Sequence, residues 1–132
     1  MKRLIGFAAV LVALFLSNNI FAQDLTFELN GKKYEAAKQD LEGNYTYDQA
    51  IAGCSKLKED SKDDWSLPSK KELNAMYEQL HKKGIGGFAN LFYWSSSECD
   101  GDYVWVQHFY DGTQINDGKD NDYSRVRCVR AF

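Results

Sequence analysis

The sequence predicts an α+β fold, with two helices packed on a small, mostly antiparallel sheet and a loop-rich second half. Three observations carry this expectation. An alternating stretch surrounds an Asn-Gly pair, two capping boxes each open an apolar stripe of helical period, and beyond Gly86-Gly87 Lys and Glu become rare while aromatic, Asp, Asn, Gly and Ser residues take over. Strands, then two helices, then strands again is the order of an α+β domain. A chain of 132 residues suits one core. Eight Tyr, eight Phe and three Trp supply more apolar bulk than a disordered chain carries. The formal charge of -3 lacks the basic excess that a phosphate backbone calls for, so nucleic acid is excluded as a partner class.

Each element has a local cause. Met1-Lys2-Arg3 precedes the apolar run Leu4 to Leu16, which is shorter than the roughly 20 residues of a membrane-spanning helix. Polar Ser17-Asn18-Asn19 and then Ile20-Phe21-Ala22 follow. Residues 1–22 are therefore expected to be a signal peptide and residues 23–132 the exported domain, with no stable membrane insertion after cleavage. No cysteine follows the cut, which argues against a lipoprotein. In an oxidising compartment Cys54, Cys99 and Cys128 allow one disulfide and leave one thiol, and spacing alone does not decide the pair.

Leu25 to Leu29, Asn30-Gly31 and Lys32 to Ala36 form a hairpin signal. Thr46 with Gln49 opens helix one, whose stripe Ala50, Ile51, Cys54 and Leu57 runs to about Glu59. Ser69 with Glu72, just after Pro68, opens helix two from about Lys70 to Lys82, with Gly84 as its stop. Strands are expected at Tyr93 to Ser97, Tyr103 to Tyr110, Thr113 to Ile115 and Arg125 to Ala131, with Asp111-Gly112 as a tight turn and Asn116 to Asp122 as a polar loop. In the last strand, Arg125, Arg127 and Arg130 are expected on the wet face and Val126 and Cys128 in the core.

Trp65-Ser66-Leu67-Pro68-Ser69-Lys70-Lys71-Glu72-Leu73, Tyr93-Trp94-Ser95-Ser96-Ser97-Glu98 and Arg125-Val126-Arg127-Cys128-Val129-Arg130 occur in that order. Over roughly residues 65 to 132 the chain resembles the collagen-like adhesin C-terminal domain family, and the resemblance implies a C-type-lectin-like fold. The half from Leu80 to Phe132 is also similar to the variable target proteins of diversity-generating retroelements. The resemblance further implies a Cys54–Cys128 disulfide, tying the first helix to the last strand and leaving Cys99 as a free thiol or an intermolecular link. Trp105, Phe109, Gly112 and Lys119 match fixed positions of the retroelement-target pattern, and both rings are expected to fill the core.

Between and beside those positions lies the candidate binding face: Asp102, Tyr103, His108, Tyr110, Asp111, Gln114, Asn116, Asp117, Asp120, Asn121, Asp122 and Tyr123. Tyrosine offers contact area at low entropic cost and short polar side chains offer adaptable hydrogen bonds. The expected function is non-catalytic extracellular recognition of a protein or glycan by a secreted, periplasmic or cell-surface domain. A structural or assembly subunit of a secreted complex is the alternative. No cofactor is expected. The acids from Asp100 to Asp122 are of the hard-oxygen type that suits calcium but lack EF-hand spacing, and His81, His108 and Cys99 lack zinc-ligand spacing. No base is recognisable beside the Ser95-Ser96-Ser97 hydroxyls, so no enzyme is expected.

Overall fold

The computed structural model describes residues 23–132, and the expected signal peptide, residues 1–22, lies outside the described residues. The chain opens with β1 (Thr26–Leu29) and β2 (Lys32–Ala36), paired antiparallel with Phe27 opposite Tyr34. Asn30 and Gly31 both take positive φ, 54° and 76°, as a two-residue turn between right-twisted strands requires. Helix α1 (Tyr47–Lys56) and helix α2 (Lys70–Gln79) follow, each opened by a complete capping box, Thr46 with Gln49 and Ser69 with Glu72. Both helices are shorter than the apolar stripes predict. Leu57 turns extended after α1, and α2 tightens into a 3₁₀ turn, His81–Lys83, that ends at left-handed Gly84.

The second half contains β3 (Phe92–Glu98), β4 (Tyr103–His108), β5 (Gln114–Gly118) and β6 (Val129–Ala131). The fold is α+β, but its strands form two antiparallel three-stranded sheets, β1-β2-β6 and β3-β4-β5, where the sequence predicts one. This arrangement is compatible with a C-type-lectin-like organisation. Two expected boundaries move. Asn116 to Gly118 belong to β5, opposite Trp105 to Tyr103, and only the last three residues of the Arg125–Ala131 stretch form a strand. The earlier part joins the two sheets: the Trp94 N–H donates to the Arg125 carbonyl, the Leu41 N–H to that of Val126 and the Ala37 N–H to that of Cys128.

The β3-β4-β5 sheet is covered on both faces, which explains why its sequence does not alternate cleanly. On one side Trp94, Val104 and Val106 pack with Tyr47, Ala50 and Cys54 of α1 and with Trp65 and Val126. On the other, Tyr93 and Phe109 pack with Leu73, Met76 and Leu80 and with Phe27 of the N-terminal hairpin. Adjacent residues Tyr93 and Trp94 therefore serve different cores. Cys54 and Cys128 are bridged within the first, with Cα atoms 5.4 Å apart.

Two expectations about side chains are overturned. Arg127 is not on the wet face: it is 1% exposed and packs beneath the 37–40 and 86–88 segments. Trp105 does not fill the core. It lies half-buried on the α2 side of the sheet, where Lys70 Nζ sits 3.3 Å from its ring centroid. Phe109 is fully buried, as expected. A Cβ at Gly112 would meet the Tyr77 ring at 2.7 Å with φ at 85°, so the tight turn at this position calls for glycine.

Candidate functional site

The expected binding residues separate into two groups at opposite ends of the β4–β5 hairpin. At the open end, opposite the turn, Asp102, Tyr103, Asn116, Asp117, Asp120 and Asn121 line a cleft of about 510 Å³ with Gly118, Lys119 and Asp48. Asp48 comes from the first turn of α1, where an acid is favoured by the helix dipole. The Tyr47 N–H donates to the Lys119 carbonyl and brings that turn against the end of β5. Sequence reasoning misses Asp48 because it precedes the rest of the cleft by more than fifty positions and nothing local distinguishes it from a capping acid.

At the turn end, the His108 Nδ1 accepts from the Tyr110 N–H and the Asp111 Oδ1 from the Thr113 N–H. The Thr113 backbone and side-chain hydrogen bonds hold the Asp111 carboxyl below its ordinary range. His108 packs edge-on against Phe92, with centroids 4.4 Å apart. Gln114 belongs to the scaffold: its amide donates to the Lys70 carbonyl and to the Gln107 Oε1. Gln107, itself fully buried, donates to Asn74 of α2 and to the Gly112 carbonyl. These amides tie the hairpin to α2.

Asp117 organises the loop that follows β5. Its Oδ1 accepts from the Gly118 N–H, from the Asn121 side chain and from the Tyr123 hydroxyl at 3.0 Å. Desolvation and the bond to Asp117 push the Tyr123 phenol up. Asp122 is exposed at the surface of the same loop. Lys119 turns its ammonium onto Glu98, and that hydrogen bond raises its pKa.

The chemistry-bearing side chains have structural occupations. Ser95 donates to the Trp105 carbonyl, Ser97 accepts from the Lys70 N–H, and His81 is bonded to Asn90. Among the described residues no three His, Cys, Asp or Glu side chains gather into a metal-binding group. Of the acids that would suit calcium, Asp100, Asp111 and Asp117 accept backbone hydrogen bonds in turns: Asp100 Oδ1, for instance, accepts from the N–H groups of Asp102 and Tyr103. Among the described residues no helix is long and apolar enough to cross a membrane.

What the face offers is contact. Tyr103, Tyr110 and Tyr123 are 49%, 67% and 58% exposed, and with Ile115 they place four of the seven exposed large hydrophobic side chains among the described residues between positions 103 and 123. A family model described as the Lcl C-terminal domain matches residues 22–130. No curated protein matches the chain.

Proposed function

The chain belongs to the Lcl C-terminal domain family, and from that premise we propose that it is a non-catalytic, adhesin-like recognition domain working outside the cytoplasm. Its ligand, an extracellular protein or glycan, is held on the face carried by β4, β5 and the loop to Tyr123. The observation that supports this most is the exposure of Tyr103, Tyr110 and Tyr123 on one hairpin and its following loop. Tyrosines of this kind anchor interfaces, each contributing about 1 to 3 kcal/mol. On this reading Phe109, Gly112 and Lys119 are scaffold together with Gln107 and Gln114, and the exposed residues around them are the ones free to differ, as in variable target proteins of diversity-generating retroelements.

The test is a screen of the purified protein on protein and glycan arrays, followed by Tyr103→Ala, Tyr110→Ala and Tyr123→Ala measured on the ligand found. Each should weaken binding while keeping the native melting temperature. Variants that stay folded and bind normally would remove the face from the account. The exposed, unpaired Cys99 favours a second reading, an assembly subunit linked to another secreted chain. A mixed disulfide through Cys99 on non-reducing gels of the secreted material would support that reading.

A further inference from the structure

We propose that the cleft between the start of α1 and the end of β5 receives the ammonium or guanidinium group of a lysine or arginine side chain from a partner protein, with Asp117 as its acceptor. This rests on the recognition reading above and names the chemistry of the partner. Asp48, Asp102, Asp117 and Asp120 all line the cleft. Lys119, the one basic residue lining it, directs its ammonium onto Glu98.

Asp117 is what distinguishes this cleft from a solvated acidic patch. It is 9% exposed, its Oδ1 already accepts three hydrogen bonds, and its buried Oδ2 has no partner. A buried acceptor left bare is rare in folded proteins, and a buried carboxylate without a counter-charge is rarer. Among the described residues Asp117 forms no ion pair, whereas Asp40, comparably buried, is paired with Arg127. The fold thus supplies a cation to one buried acid and leaves the other without one, its Oδ2 buried beside an acid-lined cleft.

An N–H donor suits this geometry better than a metal ion. Donors already crowd Oδ1, and the cleft acids do not converge as a ligand set. A side-chain cation needs one good acceptor, acidic neighbours and a wall for its stem, and the half-exposed Tyr103 ring provides the wall. Oδ2 is itself buried, so the proposal requires the exposed residues 121–123, two of which hydrogen-bond Oδ1, to shift when the guest binds.

The experiment titrates a capped tetralysine peptide into the purified protein at low ionic strength, following the amide resonances of Gly118 and Asn121 and the binding heat. Asp117→Asn should weaken binding about tenfold, the scale of one charge-assisted hydrogen bond. Asp60→Asn, an equal charge change in a different cleft, should leave affinity within about twofold. The double variant Asp102→Asn/Asp120→Asn keeps the hydrogen bonds of Asp117, so its loss of binding would support the site even if Asp117→Asn disturbs the loop. Equal weakening by Asp117→Asn and Asp60→Asn would reduce the effect to net charge and overturn the proposal. Calcium chloride that shifts the same amides and displaces tetralysine would overturn it too, in favour of a metal. If the tyrosine variants lose an array ligand while tetralysine leaves Gly118 and Asn121 unmoved, the cation site fails and the recognition face stands.

Discussion

Asp40 and Arg127, 87 positions apart, form a buried ion pair in which Arg127 Nε lies 2.8 Å from Asp40 Oδ1. The same guanidinium donates to the carbonyls of Ala37 and Gly86 and sits 4.1 Å from the centroid of the Phe88 ring. One side chain therefore ties the loop after β2, the loop before β3 and the closing segment. Removing Asp40 strands the buried guanidinium, and removing Arg127 leaves Asp40 only the half-exposed Arg125 at 3.7 Å, losses on the scale of about 3 to 5 kcal/mol. Asp40→Asn and Arg127→Met should each lower stability on that scale in urea denaturation, and the double variant should lose less than the sum of the two. Strictly additive losses would show that the pair is not coupled.

Tyr93 extends this network: its hydroxyl donates to Asp40 Oδ2 and accepts from the Ala89 N–H, both at 2.8 Å. Burial, then the charge of Asp40, holds the phenol far above its ordinary value. An unfolded chain releases that proton near pH 10, so the stability linked to Tyr93 is complete below about pH 10 and declines as pH rises beyond it. Alkaline difference spectra should show one tyrosine that ionises only as the fold is lost. Tyr93→Phe should flatten the alkaline fall in stability, and ionisation of Tyr93 in a chain with native near-UV dichroism would contradict this account.

The bridge between Cys54 and Cys128 spans 74 positions. On the chain-entropy argument such a loop constrains the unfolded state by about 4 to 5 kcal/mol. Cys54→Ser combined with Cys128→Ser should lower stability by that order, whereas Cys99→Ser, at an exposed free thiol, should change it by less than about 0.5 kcal/mol. Peptide mass mapping of the unreduced protein should find Cys54 joined to Cys128. A link through Cys99 would count against both expectations.

Phe109 and Trp105 lie four positions apart and should respond very differently to truncation. Phe109 is fully buried among Tyr77, Phe88 and Tyr93, so Phe109→Ala should cost about 3 to 5 kcal/mol. Trp105, half-exposed under Lys70, should cost about 1 to 2 kcal/mol as Trp105→Ala, the scale of a partly desolvated cation–π contact with some packing. Equal losses in denaturant titration would place the Trp105 ring in the core after all.

The candidate site was legible in part. Its aromatic members stand out in the sequence as tyrosines between polar residues, and the structure leaves Tyr103, Tyr110 and Tyr123 exposed. Their grouping was not legible. Asp102 and Tyr103 adjoin Asp117 to Asn121 because β4 runs antiparallel to β5, with Tyr103 opposite Gly118, whereas His108, Tyr110 and Asp111 sit at the other end of that hairpin. Gln114 reads as a surface amide until α2 is placed beside it.

By itself the sequence determined what depends on neighbours within a few positions. Asn30-Gly31 accepts the two positive φ values of a tight hairpin turn, the hydroxyls of Thr46 and Ser69 cap N–H groups three residues on, and Gly84 takes the left-handed stop of the turn after α2. Tertiary structure alone decided what depends on which elements meet. It split the strands into two sheets, since covering both faces of β3-β4-β5 sends Tyr93 and Trp94 to separate cores. It buried Arg127, because Asp40 and the carbonyls of Ala37 and Gly86 arrive from distant loops to satisfy its donors. It also left Asp117 Oδ2 without a partner. A local pattern states how a residue shapes its own backbone, but the cost of burying a charge depends on partners that only the folded chain brings within reach.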